Sequence, residues 1–115
     1  MYYKIMEIRD NDKICIIAPI CAKLDKYKTQ RIIKRVKNEA RQVAIDLSYV
    51  QDCSIDFIEG LKTLAEKKLG IFNIPSDIFV LFNIMNLDKT AKLYVSELDF
   101  EEDSRQLINR NFSII

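Results

Sequence analysis

Apolar and polar positions alternate from Tyr2 to Arg9, with Tyr3 and Ile5 inward and Met6 and Ile8 as further inward candidates. A period of two marks a strand. Asp10-Asn11-Asp12 is a turn signal, and Lys13–Ala18 is an apolar run suited to a buried strand, so the two predict a hairpin. Pro19 lacks a backbone donor and ends that ladder. From Asp25 the period lengthens: Tyr27, Ile32, Ile33, Val36 and Ala40 recur at helical spacing. That helix takes Asp25 as N-cap and ends near Asn38. Arg41–Leu47 reads as a central strand. A second helix is expected over Ile55–Lys68, with Ile58, Leu61, Leu64 and Ala65 inward and Gly70 as its stop. Ile71–Ile74 is a short strand. Pro75 and Ser76 open a third helix, with Ile78, Leu81, Phe82 and Met85 inward and Asn86 as a left-handed cap. Ala91–Val95 is the last strand. Glu101–Asn109 predicts a terminal helix anchored by Leu107 and Ile108, and 110–115 a flexible tail.

The order is β-β-α-β-α-β-α-β-α. Strands alternating with helices imply right-handed crossovers and parallel pairing, with the first strand antiparallel through its hairpin. The expected architecture is one α/β domain over residues 2–109. It has a mixed, mostly parallel sheet of about five strands and about four helices. A length of 115 residues fits one domain, and 49% hydrophobic content supplies a core rather than disorder.

Charge and composition narrow the chemistry. Eighteen basic residues against 17 acidic leave a net charge of +1, so no general attraction to nucleic acid or anionic membrane is expected. Lys23, Lys26, Lys28, Arg31, Lys34, Arg35 and Lys37 do cluster, and their plain reading is a solvated helix face. Cys15, Cys21 and Cys53 are odd in number and lack CxxC spacing, which fits a reduced, cytoplasmic setting. No N-terminal apolar signal and no 18-residue apolar run is present, so export and membrane insertion are not expected. The chain has no histidine, which removes the commonest general base and metal ligand. Two glycines cannot build a phosphate-cradling loop. The expectation is a non-enzymatic chain with no cofactor and no metal. A small enzyme using Asp25, Ser54 and Asp56 is the weakest alternative.

Three strings, in order and over about residues 2–109, carry a resemblance. They are Leu24-Asp25 leading into a helix, Ile45-Asp46-Leu47-Ser48-Tyr49-Val50, and Leu81-Phe82-Asn83-Ile84-Met85-Asn86-Leu87-Asp88-Lys89. Together they resemble the STAS domain of anti-sigma-factor antagonists, with Ala22 and Asn86 where the family has glycine. The resemblance implies a protein-binding regulator that sequesters a serine-kinase anti-sigma factor. The alternative it offers is a STAS component of a lipid-transport ATPase or a stress-signalling assembly, with another STAS-binding ATPase as partner.

The family's Asp-Ser-Ser-Gly signature, counted from Asp46 without a gap, falls on Ser54, Ile55, Asp56 and Phe57. The phosphorylated serine is thus Ile55, which has no hydroxyl. Three readings stand: binding without a phosphorylation switch, a fixed charge on Asp56 at the helix start, or modification of Ser54 as a substitute. The first is preferred. The implied partner surface comprises Asp25, Cys53, Ser54, Ile55, Asp56 and Phe57. Asp25 has a second role open to it, as a plain helix cap; Ser54 and Asp56 likewise suit a helix start. Phe57 has the core open to it, and Cys53 is either a packed thiol or a redox-active one.

Overall fold

The computed structural model describes residues 5–103. β1 (Met6–Asp10) and β2 (Ile14–Pro19) form the expected antiparallel hairpin. Asn11 closes its turn, its Oδ1 accepting from the backbone N–H groups of Lys13 (2.8 Å) and Ile14 (2.9 Å). There follow β3 (Lys23–Leu24), α1 (Lys26–Lys37), β4 (Gln42–Asp46), β5 (Asp52–Cys53) and α2 (Ile55–Lys62). β6 (Gly70–Phe72), α3 (Ser76–Ile84) and β7 (Lys92–Leu93) come next. A last helix, α4, occupies 97–103.

The main sheet runs β1-β2-β4-β6-β7, with only the β1–β2 pair antiparallel. β3 and β5 form a separate parallel pair. The sheet is therefore mixed and mostly parallel, as the alternation of periods implies. Successive strand residues face opposite layers. Cys15, Ile17, Val43, Ile45 and Ile71 join the core that includes Ile32 and Val36 of α1, Phe57 and Leu61 of α2, and Ile78 and Phe82 of α3. Ile16, Ala44 and Phe72 face the other way and meet Phe100 of α4. Each Val, Leu, Ile or Phe among these, fully buried, contributes about 1.5–3 kcal/mol.

Several expected boundaries move, for local reasons. α1 buries Thr29, Ile32 and Val36, which leaves Tyr27 63% exposed and Ala40 outside the core. α2 stops at Lys62 instead of Lys68: Thr63 caps it, Oγ1 donating to the Gly60 carbonyl at 2.6 Å, and a 3-10 turn over Ala65–Lys67 follows. The left-handed residue is Lys68 (φ 52°), so Gly70 is not the helix stop but the first residue of β6. β6 ends at Phe72 because Asn73 is left-handed (φ 55°). Asn86 (φ 61°) takes the expected left-handed cap. The last strand narrows to Lys92–Leu93, and the terminal helix begins at 97 rather than 101. Tyr2, Tyr3, Leu107, Ile108 and the tail 110–115 lie outside the described residues.

Candidate functional site

Two strand–cap–helix units stand side by side. β3 leads through Asp25 into α1, and β5 leads through Ser54 into α2. Parallel pairing puts Lys23 opposite Asp52 and Leu24 opposite Cys53, and Ser54 N–H donates to the Leu24 carbonyl at 2.9 Å. The two helices thus start in register, and the candidate residues from both are brought to one edge. Sequence reasoning missed this pair, because two residues cannot show a period.

The two caps differ. Asp25 is exposed and its Oδ1 accepts from Lys28 N–H at 2.9 Å, satisfying one free donor of the first turn. Ser54 has the extended backbone of a cap (φ −80°, ψ 161°), but its hydroxyl makes no cap bond. Its Oγ is buried without a partner, as is Oγ1 of Thr29. An unsatisfied buried hydroxyl costs about 1–3 kcal/mol. Ser54 is therefore a cap by position only, and its hydroxyl is closed to solvent.

Ile55, the first residue of α2, is 62% exposed. Asp56 is exposed in the first turn, where the helix dipole favours an acid. Phe57 is fully buried, its ring 6.4 Å from that of Phe82. Cys53 is buried too; burial, and secondarily the Asp52 charge, push its thiol up to about 11, opposite to what a reactive thiol needs. Of the six candidates, Asp25, Ile55 and Asp56 face solvent, while Cys53 and Phe57 hold the edge from beneath.

Asp46, at the end of β4, steadies the loop that leads to this edge. It accepts from Ser48 N–H (3.0 Å), Asn73 Nδ2 (3.1 Å) and Arg9 (2.9 Å), and Arg9 also pairs with Glu97 at 2.8 Å. Tyr49 in that loop is 52% exposed, an aromatic that sequence reasoning had placed only within a motif. Among the described residues no group of three His, Cys, Asp or Glu side chains is placed to hold a metal. No helix among them is long and apolar enough to cross a membrane.

No protein-family model matches the chain, and no curated protein matches its sequence. Solved structures do match. An anti-sigma factor antagonist from Mycobacterium paratuberculosis superposes with a TM-score of 0.75 at 17% identity, over 87% of this chain and 92% of that one. A Thermotoga maritima protein assigned as an anti-sigma factor antagonist gives 0.73 at 16% identity, over 87% and 94%. The anti-sigma factor antagonist SpoIIAA, unphosphorylated, gives 0.59 at 8% identity, over 95% and 99%. At such identities the likeness is one of fold, and the fold of this chain is the STAS fold of anti-sigma factor antagonists.

Proposed function

We propose that the chain is a non-enzymatic, protein-binding regulatory module of the anti-sigma-factor-antagonist kind that works without the usual serine switch. Its surface is the edge carrying Asp25, Ile55 and Asp56, with Cys53, Ser54 and Phe57 shaping it from below. The observation that carries the reading is Ile55. An apolar side chain 62% exposed at the first turn of α2 lies outside the core, yet it suits a contact that excludes water. It also stands where the resembled signature has its phosphorylated serine. The buried Ser54 hydroxyl, unpartnered as it is, is not presented to a kinase. The partner this reading implies is an anti-sigma serine kinase of the histidine-kinase-like ATPase type.

The test pairs capture with mass measurement. Immobilised wild-type chain and an Ile55→Glu variant are exposed to soluble extract of the source cell with ATP. The expected result is a kinase-type ATPase retained by the wild type, at least about tenfold less retained by the variant, with no phosphate on either chain. Because Ile55 is exposed, the variant should melt like the wild type. Retention of no such ATPase, or equal retention by both chains, would overturn the reading. A phosphate on Ser54 would overturn the claim that the switch is absent.

A further inference from the structure

A second surface begins at Asp56 and runs away from the edge between α1 and α2. It is a groove of about 420 Å³ whose floor is formed by Ile33, Thr29 and Gly60. Gly60 keeps the floor low: a Cβ there would lie 3.1 Å from Ile33 Cδ1 and Cγ1 and 3.6 Å from Thr29 Cγ2. Along the α1 rim stand Lys26, Lys34 and Lys37. They share one helical stripe and span about 16 Å at 1.5 Å per residue, three turns of helix. None of the three forms an ion pair with a described residue, although Lys28, Arg35 and Arg41 on neighbouring positions do. The opposite rim carries a single acid, Asp56, at one end.

We infer that this groove docks an acidic amphipathic helix of a protein partner. The inference extends the proposed function and rests on it in one respect, that the occupant is protein. Charge complementarity selects the occupant. Three unpaired ammonium groups in a line call for carboxylates repeated on one flank of a helix, and the apolar floor calls for aliphatic side chains between them. A nucleic-acid strand fits poorly. Its phosphates would meet Asp56, no aromatic side chain lines the groove for base stacking, and the chain's net charge is only +1.

The probe is a synthetic helical peptide with a leucine stripe flanked by glutamates, titrated into the full isotope-labelled chain and followed by amide NMR shifts. A second peptide keeps the leucines and replaces glutamate with lysine. Saturable shifts at Ile33, Lys34 and Gly60 with the acidic peptide, and none with the basic one, are expected. Lys26→Glu with Lys34→Glu should weaken the acidic peptide about tenfold, the worth of two exposed ion pairs lost and reversed. Lys26→Gln with Lys34→Gln should lie between, and both variants should melt near the wild type. No shifts, shifts elsewhere, or equal binding of both peptides would overturn the inference. So would the same shifts produced by a single-stranded oligonucleotide or by anionic vesicles in place of the peptide. An Ile55→Glu chain that still binds the acidic peptide would leave the inference standing even if partner capture through Ile55 failed, so the two readings fail separately.

Discussion

At the scale of single residues, the Glu39 carboxylate accepts four hydrogen bonds from two arginines. It lies buried just beyond α1, where it accepts from Arg41 Nε (2.8 Å), an Arg41 guanidinium nitrogen (2.8 Å), Arg41 backbone N–H (3.0 Å) and Arg35 (3.1 Å). Arg41 also reaches Asp10 and the Asn11 carbonyl, both at 2.8 Å, so one carboxylate links the end of α1 to the β1–β2 turn. The Arg41 hydrogen bonds, side-chain first, hold the Glu39 carboxyl well below its ordinary value of 4.5. A carboxylate lowered in the folded state adds stability that is fully present above the unfolded value and disappears as pH falls through the folded one. Glu39→Gln should therefore lower the melting temperature at pH 7. The gap between variant and wild type should narrow steadily below about pH 4.5. Thermal melts of both chains from pH 7 to pH 3 check this; a gap that stays constant over that range would show that the ion pairs add nothing.

Between elements, α4 approaches β6 closely at Gly70. A Cβ on Gly70 would lie 2.7 Å from Phe100 Cδ1, and the ring has little room to retreat: Phe72 is stacked on it at 5.9 Å and Tyr94 meets it edge-on at 5.5 Å. Glycine is needed at this position for space, not for a left-handed backbone. Gly70→Ala should destabilise the chain by about 1–3 kcal/mol through overpacking. Phe100→Ala should cost about 3–5 kcal/mol through the cavity it leaves. In the Phe100→Ala background the Gly70→Ala cost should largely vanish, and denaturant melts of the four chains read that coupling directly. Strict additivity would mean that the contact is not what constrains residue 70. The same pair shows how far the sequence was legible. The periods of α1, β2 and β4 were plain because each spans enough positions to repeat, and the Asp25 cap followed from a local rule. Gly70 was misread because glycine serves both helix ends and close approaches. Phe100 went unnoticed because the acids around it, Asp99, Glu101 and Glu102, mask the one buried apolar side chain that this helix has among the described residues. At the site, the strand-to-helix junction was visible, but its pairing with β3 was not. Nor was the α1–α2 groove, which depends on how two helices meet.

At the scale of the whole molecule, the described residues cover the two faces of the sheet unequally. α1, α2 and α3 close one face with a large continuous core, whereas among the described residues the other face has a small cluster of Ile16, Ala44, Phe72 and Phe100, flanked by Ile14 and Tyr94. The edge proposed to bind a partner belongs to the first layer, and α4 belongs to the second. Ending the chain after Ser96 would strip that second cluster of Phe100 and break the Arg9–Glu97 pair. The loss, about 3–5 kcal/mol for the ring alone, is a large part of the 5–15 kcal/mol that holds a domain of this size. The sheet's open edges would not be the sites of new association: β7 is two residues long, and β1 carries Glu7, Arg9 and Asp10. What would be left bare is the apolar face around Ile14, Ile16 and Phe72, and two such faces can stack at the ordinary spacing of packed sheets. The truncated chain should therefore bind the dye ANS strongly and sediment as a larger species than the full chain at equal concentration. Phe72→Ser in the truncated chain should reduce both signals by making the face polar. Unchanged dye binding and sedimentation after truncation would mean that the helices on the first layer alone determine how this fold meets its surroundings.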